Sequence, residues 1–305
     1  MTTTETALEG ILPILKPAGW TSHDVVAKVR RITREKRIGH TGTLDPQVTG
    51  VLPLCIGRAT RLVEYIQELP KEYEAALTIG FATDTEDASG TVTSRADSVS
   101  LTRQQVEQVL QTFVGEIEQV PPMFSAVKVD GKRLYELARE GKEIERKSRK
   151  VTIYEIEMLS AEMDRPYPEI RFRVRCSKGT YIRTLCVDIG KDLGYPAVMS
   201  HLVRTSTGNI GIGQCVTLEQ VEEHQKEGTL HTLLLAADRA IAFLPKLELN
   251  ETQTKQALQG QKIRLPVFEA EANTTVRAYS PQNEFIGIFE WEAADRKLKP
   301  VKVFS

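Results

Sequence analysis

Hydrophobic positions recur along this chain in two rhythms, one of three to four residues and one of two. In HDVVAKVRRITREKR, Val25, Val26, Val29 and Ile32 fall on one helical face, while Lys28, Arg30, Arg31, Arg34, Lys36 and Arg37 crowd the rest. LTRQQVEQVLQTFVG repeats that rhythm with Val106, Val109, Leu110 and Phe113, and adds a Thr102/Gln105 capping box in front and Gly115 behind. A third helix is predicted within KGTYIRTLCVDIGKDLG, capped by Thr180, with Ile182, Leu185, Cys186, Ile189 and Leu193 on its apolar face. Alternation marks strands instead. Tyr73, Ala75, Leu77, Ile79 and Phe81 alternate in YEAALTIGFA, followed by an acidic loop, TDTEDASG. VTIYEIEM and EIRFRVRCS form two more strands, the second presenting Arg171, Arg173 and Arg175 on a single face.

Between these elements the pattern changes character twice. From Pro121 to Lys150 the chain reads as a turn at VDGK, a short helix ending at Gly141 and a charged run, with nine Lys/Arg against five Asp/Glu. This is predicted to be a mobile excursion from the core. Beyond about Pro245 a short helix, NETQTKQALQG, precedes three strand-like pieces, TTVRAYS, EFIGIFEWE and LKPVKVF, which suggests a separate small β domain. At the other end, residues 1–9 read as a loose tail and ILPILKPAGWTSHDVV as a short apolar segment broken by Pro17 and Gly19.

The formal net charge of −1 means that a nucleic-acid partner would have to be met by local basic patches. Cys55, Cys176, Cys186 and Cys215 form no C-x-x-C pair and the five histidines no metal-ligand spacing, so free thiols and no metal are expected. The N-terminus lacks the basic and apolar regions of a signal peptide, and the most apolar stretch is interrupted by Asp238 and Arg239. A cytoplasmic protein is expected.

One segment concentrates conformationally special residues around a single acid: GHTGTLDPQVTGVLP, Gly39–Pro53, with Asp45 at its centre. A residue before proline is pushed toward extended geometry, which restricts where its side chain points. Gly42 and Gly50 supply tight turns or close approach on either side. A turn or capping aspartate explains such a residue as well as a reactive one does. Arg183 adds a second clue, because a cation in the first turn of a helix opposes the dipole, and a nearby carboxylate would relieve the conflict. If that carboxylate is Asp45, the guanidinium favours its ionised form, which is the form a nucleophile or base requires. A structural salt bridge accounts for the same pair.

GHTGTLDPQVTGVLP, LKPAGWTSHDVV, KEYEA and CSKGTYIRTL, in that order and spacing, closely resemble the TruB family of tRNA pseudouridine-55 synthases. The resemblance runs from about residue 10 to about residue 202, and the C-terminal sixty residues match only the size and strand pattern of the PUA-type RNA-binding domains found there. It implies an α+β pseudouridine synthase fold with a mixed, mainly antiparallel central sheet flanked by helices. The implied division is a catalytic domain over 1–245, with a thumb-like insertion at about 121–150, and a small PUA-like β-barrel domain over 246–305. The implied activity is isomerisation of the uridine at position 55 in the tRNA T loop to pseudouridine, with no cofactor.

In that reading Asp45 is catalytic, either attacking C1′ or taking a proton from C2′, and Arg183 pairs with it. Tyr73 stacks on the base; a neutral phenol with a free pKa of about 10 is a poor base at neutral pH, so proton transfer is its weaker role. His40 fills the space of the extruded nucleotide, Tyr181 and Leu202 line the uracil pocket, and Lys16 lies near the floor. Lys178 reaches a phosphate. The target base has to be flipped out of its loop, losing a few kcal/mol of stacking. The basic helix of residues 28–37, the Arg171/Arg173/Arg175 face and the insertion are the candidates for holding the T-arm backbone. The expected partner is the tRNA T stem-loop, without a guide RNA or a membrane, and the chain is expected to be a monomer. Two rivals remain: a guide-dependent relative, which would not need the insertion, and a tRNA chaperone role, alone or additional.

Overall fold

The computed structural model describes residues 8–304 apart from 130, 143, 266, 267 and 269. Residues 1–7 of the expected tail and Asp130 of the expected VDGK turn lie outside them. The first part of the chain runs β1 (Gly10–Lys16), α1 (Ser22–Thr33), β2 (Ile38–His40), β3 (Thr49–Ile56), α2 (Val63–Glu68) and β4 (Lys71–Ile79). A hairpin of β5 (Phe81–Thr83) and β6 (Val92–Arg95) follows, then α3 (Arg103–Thr112) and β7 (Gly115–Gln119). The excursion holds β8 (Lys128–Val129), β9 (Lys132–Arg133) and α4 (Leu134–Arg139), and the chain returns along β10 (Arg149–Glu162) and β11 (Glu169–Cys176). Next come α5 (Ile182–Asp192), β12 (Ala197–Thr207), β13 (Ile210–Gly211) and α6 (Leu218–Lys226). The C-terminal part is β14 (Lys246–Glu248), α7 (Glu251–Leu258), β15 (Ile263–Arg264), β16 (Thr275–Tyr279), β17 (Phe285–Glu292) and β18 (Lys297–Val303).

The class is α+β, as expected. The central sheet has the order β1-β3-β12-β4-β11-β10-β7, with β2 added to β3 and β13 to β12. It is mixed but mainly antiparallel: β3 and β12 pair in parallel and the other neighbours antiparallel. Helices α3 and α5 cover one face over a core that includes Leu77, Val106, Phe172, Leu185 and Ile189. Strands β1 and β3 are buried on both sides. Leu12, Ile14, Leu52 and Leu54 meet the Val25, Val26 and Val29 stripe of α1, whereas Ile11, Val51 and Cys55 meet Leu62 and Ile66. The predicted stripes of α1, α3 and α5 are therefore the faces that pack, and the Thr102/Gln105 capping box is formed.

Several sequence readings shift. Helix α1 stops at Thr33, because Arg34 turns left-handed at φ 59° and the Glu35 carboxylate takes the Arg37 N–H at 2.7 Å, so residues 34–37 form a loop. Strand β4 ends at Ile79, and Phe81 belongs to the next hairpin. The residue before α5 is Tyr181, since the Thr180 hydroxyl is engaged with Ser177 O at 2.9 Å.

The C-terminal strands form their own sheet, β14-β16-β17-β18-β15, around Leu249, Ile263, Phe289 and Trp291. It is also docked: Ile288 and Phe304 pack into the same core as Ile11, Val51 and Leu62, and Arg58 donates to Phe304 O at 2.6 Å. Tyr279 donates to Asp238 at 2.6 Å across the same junction. Among the described residues no helix is long and apolar enough to cross a membrane, and no group of three His, Cys, Asp or Glu is placed to hold a metal ion.

Candidate active site

Asp45 sits in the loop between β2 and β3, and that loop is tied down from several sides. Leu44 and Val48 are buried in the core beneath α5. Ser22, at the start of α1, accepts the Leu44 N–H on its hydroxyl at 2.9 Å, and Val48 N–H closes a turn onto Asp45 O at 3.0 Å. Pro46 O is held twice, by Gly19 N–H at 2.9 Å and by the Lys16 ammonium at 2.9 Å. Gly50 explains why the loop must end in glycine: it has φ +111°, and a Cβ there would lie 2.2 Å from Arg204 O on β12. Only glycine lets the parallel β3–β12 pair approach so closely.

Against this loop stands Arg183. Its Nε contacts Asp45 Oδ2 at 2.9 Å, Nη1 donates to Thr85 O at 3.1 Å and Nη2 to Phe124 O at 2.8 Å. The two ends of the ion pair differ: the Arg183 side chain is 5% exposed and that of Asp45 43%. A cation walled in by protein and a carboxylate open to solvent suit a reaction in which the acid, not the base, meets the substrate. The pair forms as the dipole conflict at the start of α5 suggests, and the two carbonyls complete the solvation of the buried guanidinium.

The remaining expected residues fall into two groups. Tyr73, on β4, and Leu202, on β12, both pack against the core under α5 and face the Asp45 side of the sheet. Burial raises the Tyr73 phenol above its ordinary value, with Arg204 pulling the other way. His40, at the end of β2, accepts the Gly42 N–H on Nδ1 at 3.3 Å and meets the His23 ring edge-on at 5.2 Å. Burial lowers its pKa, and His23 and Arg204 add to that, so the imidazole is neutral at pH 7. Tyr181 lies directly ahead of α5 with the Arg149 guanidinium over its ring, 4.6 Å from the centroid.

Lys16 and Lys178 stand apart from these. Lys16, expected among the substrate contacts, is fully buried and gives its protons to Pro17 O, Trp20 O and Pro46 O at 2.9, 2.6 and 2.9 Å. It therefore positions the Asp45 loop. Burial lowers its pKa to about 8, against the pull of Asp45. Lys178 is exposed and ion-paired with Glu68.

Of the expected basic surfaces, the sheet arginines lie on the face opposite Tyr73. Arg175, Arg173 and Arg171 lie opposite Glu72, Glu74 and Ala76 in register, while Tyr73 lies opposite Val174 on the buried face. Arg171 and Arg173 are paired with Glu169 and Glu157 at 3.2 and 3.1 Å. On α1, Lys28 is paired with Glu222 and Arg30 donates to Ile38 O at 2.7 Å, leaving Arg31, Arg34, Lys36 and Arg37 exposed.

Arg204 was not anticipated. It is fully buried, lies opposite Tyr73 in register, and donates to Val51 O at 2.6 Å and Gly42 O at 3.3 Å. An arginine directly after the apolar pair Leu202–Val203 was the available signal. Glu86 was missed as well: it accepts the Thr184 hydroxyl at 2.8 Å behind Arg183, and burial raises its pKa. Thr85 and Phe124 act through backbone carbonyls, which no residue pattern reveals.

The chain as a whole is similar to known proteins. Residues 30–182 match the TruB family pseudouridylate synthase N-terminal domain, 183–242 the tRNA pseudouridylate synthase B C-terminal domain, and 245–304 the C-terminal model of pseudouridine synthase II TruB. A tRNA pseudouridine synthase B of Geobacillus thermodenitrificans is 47% identical over 302 residues, covering 97% of this chain and all of that one. Its Geobacillus kaustophilus counterpart is 51% identical over 265 residues, covering 86% and 93%. Among solved structures, a chain of a Cbf5-Nop10-Gar1 complex superposes with a TM-score of 0.76 at 27% identity, covering 98% of this chain and 85% of that one. With matched segments running from residue 30 to residue 304 and relatives this similar over nearly full length, the chain belongs to the TruB family of pseudouridine synthases.

Proposed function

We propose that this chain isomerises the uridine at position 55 in the T loop of tRNA to pseudouridine, without a cofactor or a guide RNA. The observation that carries the reading is the Asp45–Arg183 pair, in which a fixed, buried cation presents a solvent-facing carboxylate. The target base is flipped out of its loop to reach that carboxylate. Asp45 then attacks C1′ or removes a proton from C2′; either way the C1′–N1 bond breaks and its electron pair leaves on the uracil. The base turns and C5 bonds to C1′, displacing the Asp45 carboxylate on the first route or with return of the proton to C2′ on the second; C5 then gives up its proton and N1 gains one. Nothing is oxidised and no group enters, so the reaction balances without further reagents.

The surroundings divide the remaining work. Tyr73 stacks on the base; its raised pKa argues against a phenolate acting at pH 7. Tyr181 and Leu202 wall the uracil pocket, and neutral His40 stacks in the space the nucleotide leaves. Lys178 exchanges Glu68 for a phosphate. The unit over 1–245 performs the chemistry, its insertion at about 121–150 holds the T arm, and the PUA-like unit over 246–305 contacts more distant RNA. The reading carries with it a cytoplasmic location and a monomeric enzyme.

The test is tritium release from C5-labelled uridine in an unmodified tRNA transcript. The wild type should release it, whereas Asp45→Asn, and wild type acting on a transcript with cytidine at the target position, should not. Tight tRNA binding without release would overturn the reading in favour of a guide-dependent enzyme or a chaperone. Refolding of tRNA by Asp45→Asn, alongside wild-type release, would reveal an additional chaperone role.

A further inference from the structure

The excursion leaves the sheet at the end of β7 and returns at the start of β10, and its two roots are cross-strand partners: Gln119 stands opposite Arg149. Both side chains turn to the same residue. The buried carboxamide of Gln119 accepts the Tyr181 N–H on Oε1 at 3.0 Å and donates from Nε2 to Tyr181 O at 3.1 Å. The guanidinium of Arg149 covers the Tyr181 ring.

Tyr181 needs outside support. It has no side-chain cap of its own, and its carbonyl also opens α5 by accepting Leu185 N–H at 3.0 Å. A side chain that takes both the N–H and the C=O of one residue does for it what a neighbouring strand would do, satisfying both backbone groups and restricting its dihedrals. Arg183 follows two residues later. The backbone direction at Tyr181 therefore sets both where its ring points and where the guanidinium meets Asp45.

Arg149 is retained beside Tyr181 despite poor hydrogen bonding. Among the described residues its Nε and Nη2 are buried without an acceptor, and buried unpaired donors are uncommon enough to require a reason. Stacking of the planar guanidinium on the aromatic face supplies one.

We propose that Gln119 and Arg149 are positioning residues for the isomerisation, forming a clamp at the root of the excursion that holds Tyr181 and, through it, Arg183 against Asp45. The inference rests on the functional reading above. Phe124 O, also in the excursion, holds Arg183 Nη2 directly, so three ties join this segment to the reactive pair. A pull of bound RNA on the excursion reaches the chemistry through them.

The experiment uses full-length protein, single-turnover tritium release from tRNA transcript, and separate measurement of tRNA affinity. Gln119→Met keeps the length and loses both hydrogen bonds; its rate should fall about tenfold to a hundredfold, with tRNA affinity within about threefold of wild type. Gln119→Glu can donate and accept only while protonated, so its rate relative to wild type should rise as pH falls from 8 to 6. Arg149→Lys keeps the charge without the plane and should be slowed about tenfold. A Gln119→Met enzyme at wild-type rate, a loss confined to tRNA affinity, or a Gln119→Glu ratio independent of pH would overturn the clamp. If Gln119→Met does not fold by circular dichroism, the Gln119→Glu profile decides. A wild type without release overturns the functional reading and the clamp with it, whereas wild-type release beside a fully active Gln119→Met overturns the clamp alone.

Discussion

The Asp45 loop and the excursion both reach Arg183, one with a carboxylate and the other with the Phe124 carbonyl, but they are held in different ways. The loop is bonded to α1, β1 and the segment after β1, and it sinks Leu44 and Val48 into the main core. In the excursion, among the described residues, the buried apolar side chains are Pro121 and Pro122 at its root and Leu134 and Leu137 of α4, and the ties to the site gather near its roots. A reacting atom has to be placed within a fraction of an ångström, whereas a surface that grips RNA profits from adapting to it. The difference fits the proposal that the loop places the acid and the outer part of the excursion grips RNA.

The comparison is sharpened most by Arg183→Lys. One ammonium cannot contact Asp45, Thr85 O and Phe124 O with the same fork geometry, so the single-turnover rate should fall by about two to three orders of magnitude. Near-wild-type turnover would mean that the loop alone places the acid. Gly50→Ala comes next, combining an unfavourable φ with a collision against the Arg204 backbone. It should destabilise the protein by about 3 kcal/mol, read as a lower urea midpoint at unchanged m. An alanine substitution at Gly141, which has open space around it, should perturb stability less.

A third prediction separates loop geometry from global stability. As pH rises through about 8, Lys16 loses a proton and one of its three carbonyls loses its donor, so turnover should fall. In the unfolded chain the lysine stays protonated to about 10.5, so between the two values the unfolded state holds the extra proton. This group's contribution to stability therefore rises with pH across that window. A rate that declines above pH 8 without a matching fall in Tm, and a decline that disappears in Lys16→Met, are the expected results. The smallest effect concerns grip: Arg31→Glu and Arg34→Glu should each flatten the salt dependence of tRNA binding, by about 0.7 to 0.9 log units for every phosphate that is no longer neutralised. Arg171→Glu and Arg175→Glu, on the far face of the sheet, should leave that slope unchanged.

These differences also explain which parts of the molecule were legible in the sequence. Alternation picks out β4 and β11 because one face of each keeps polar residues, and the capping box announces α3. The doubly buried β1 and β3 escape it, since a strand covered on both faces reads as a plain apolar run, and β3 carries Pro53 besides, whereas in β12 two register shifts interrupt the alternation. At the site, Asp45 and Arg183 stand out by local conflict, an acid fenced by glycines and a cation at the wrong end of a helix. Lys16 and Lys178 were visible as charges but not as burial or pairing, because those depend on neighbours distant in sequence, Pro46 and Glu68. The carbonyls that fix Arg183 carry no side-chain signature at all.

The docking of the C-terminal sheet has a consequence for how this chain can be cut. Ile288 and Phe304 complete a core begun by Ile11 and Val51, two strands that form one edge of the central sheet. Ending the chain near residue 245 would uncover aliphatic side chains on those strands, and an uncovered apolar strand face invites association between copies. The last sixty residues thus shield the sheet that precedes them, and a shortened enzyme should fail first by precipitating.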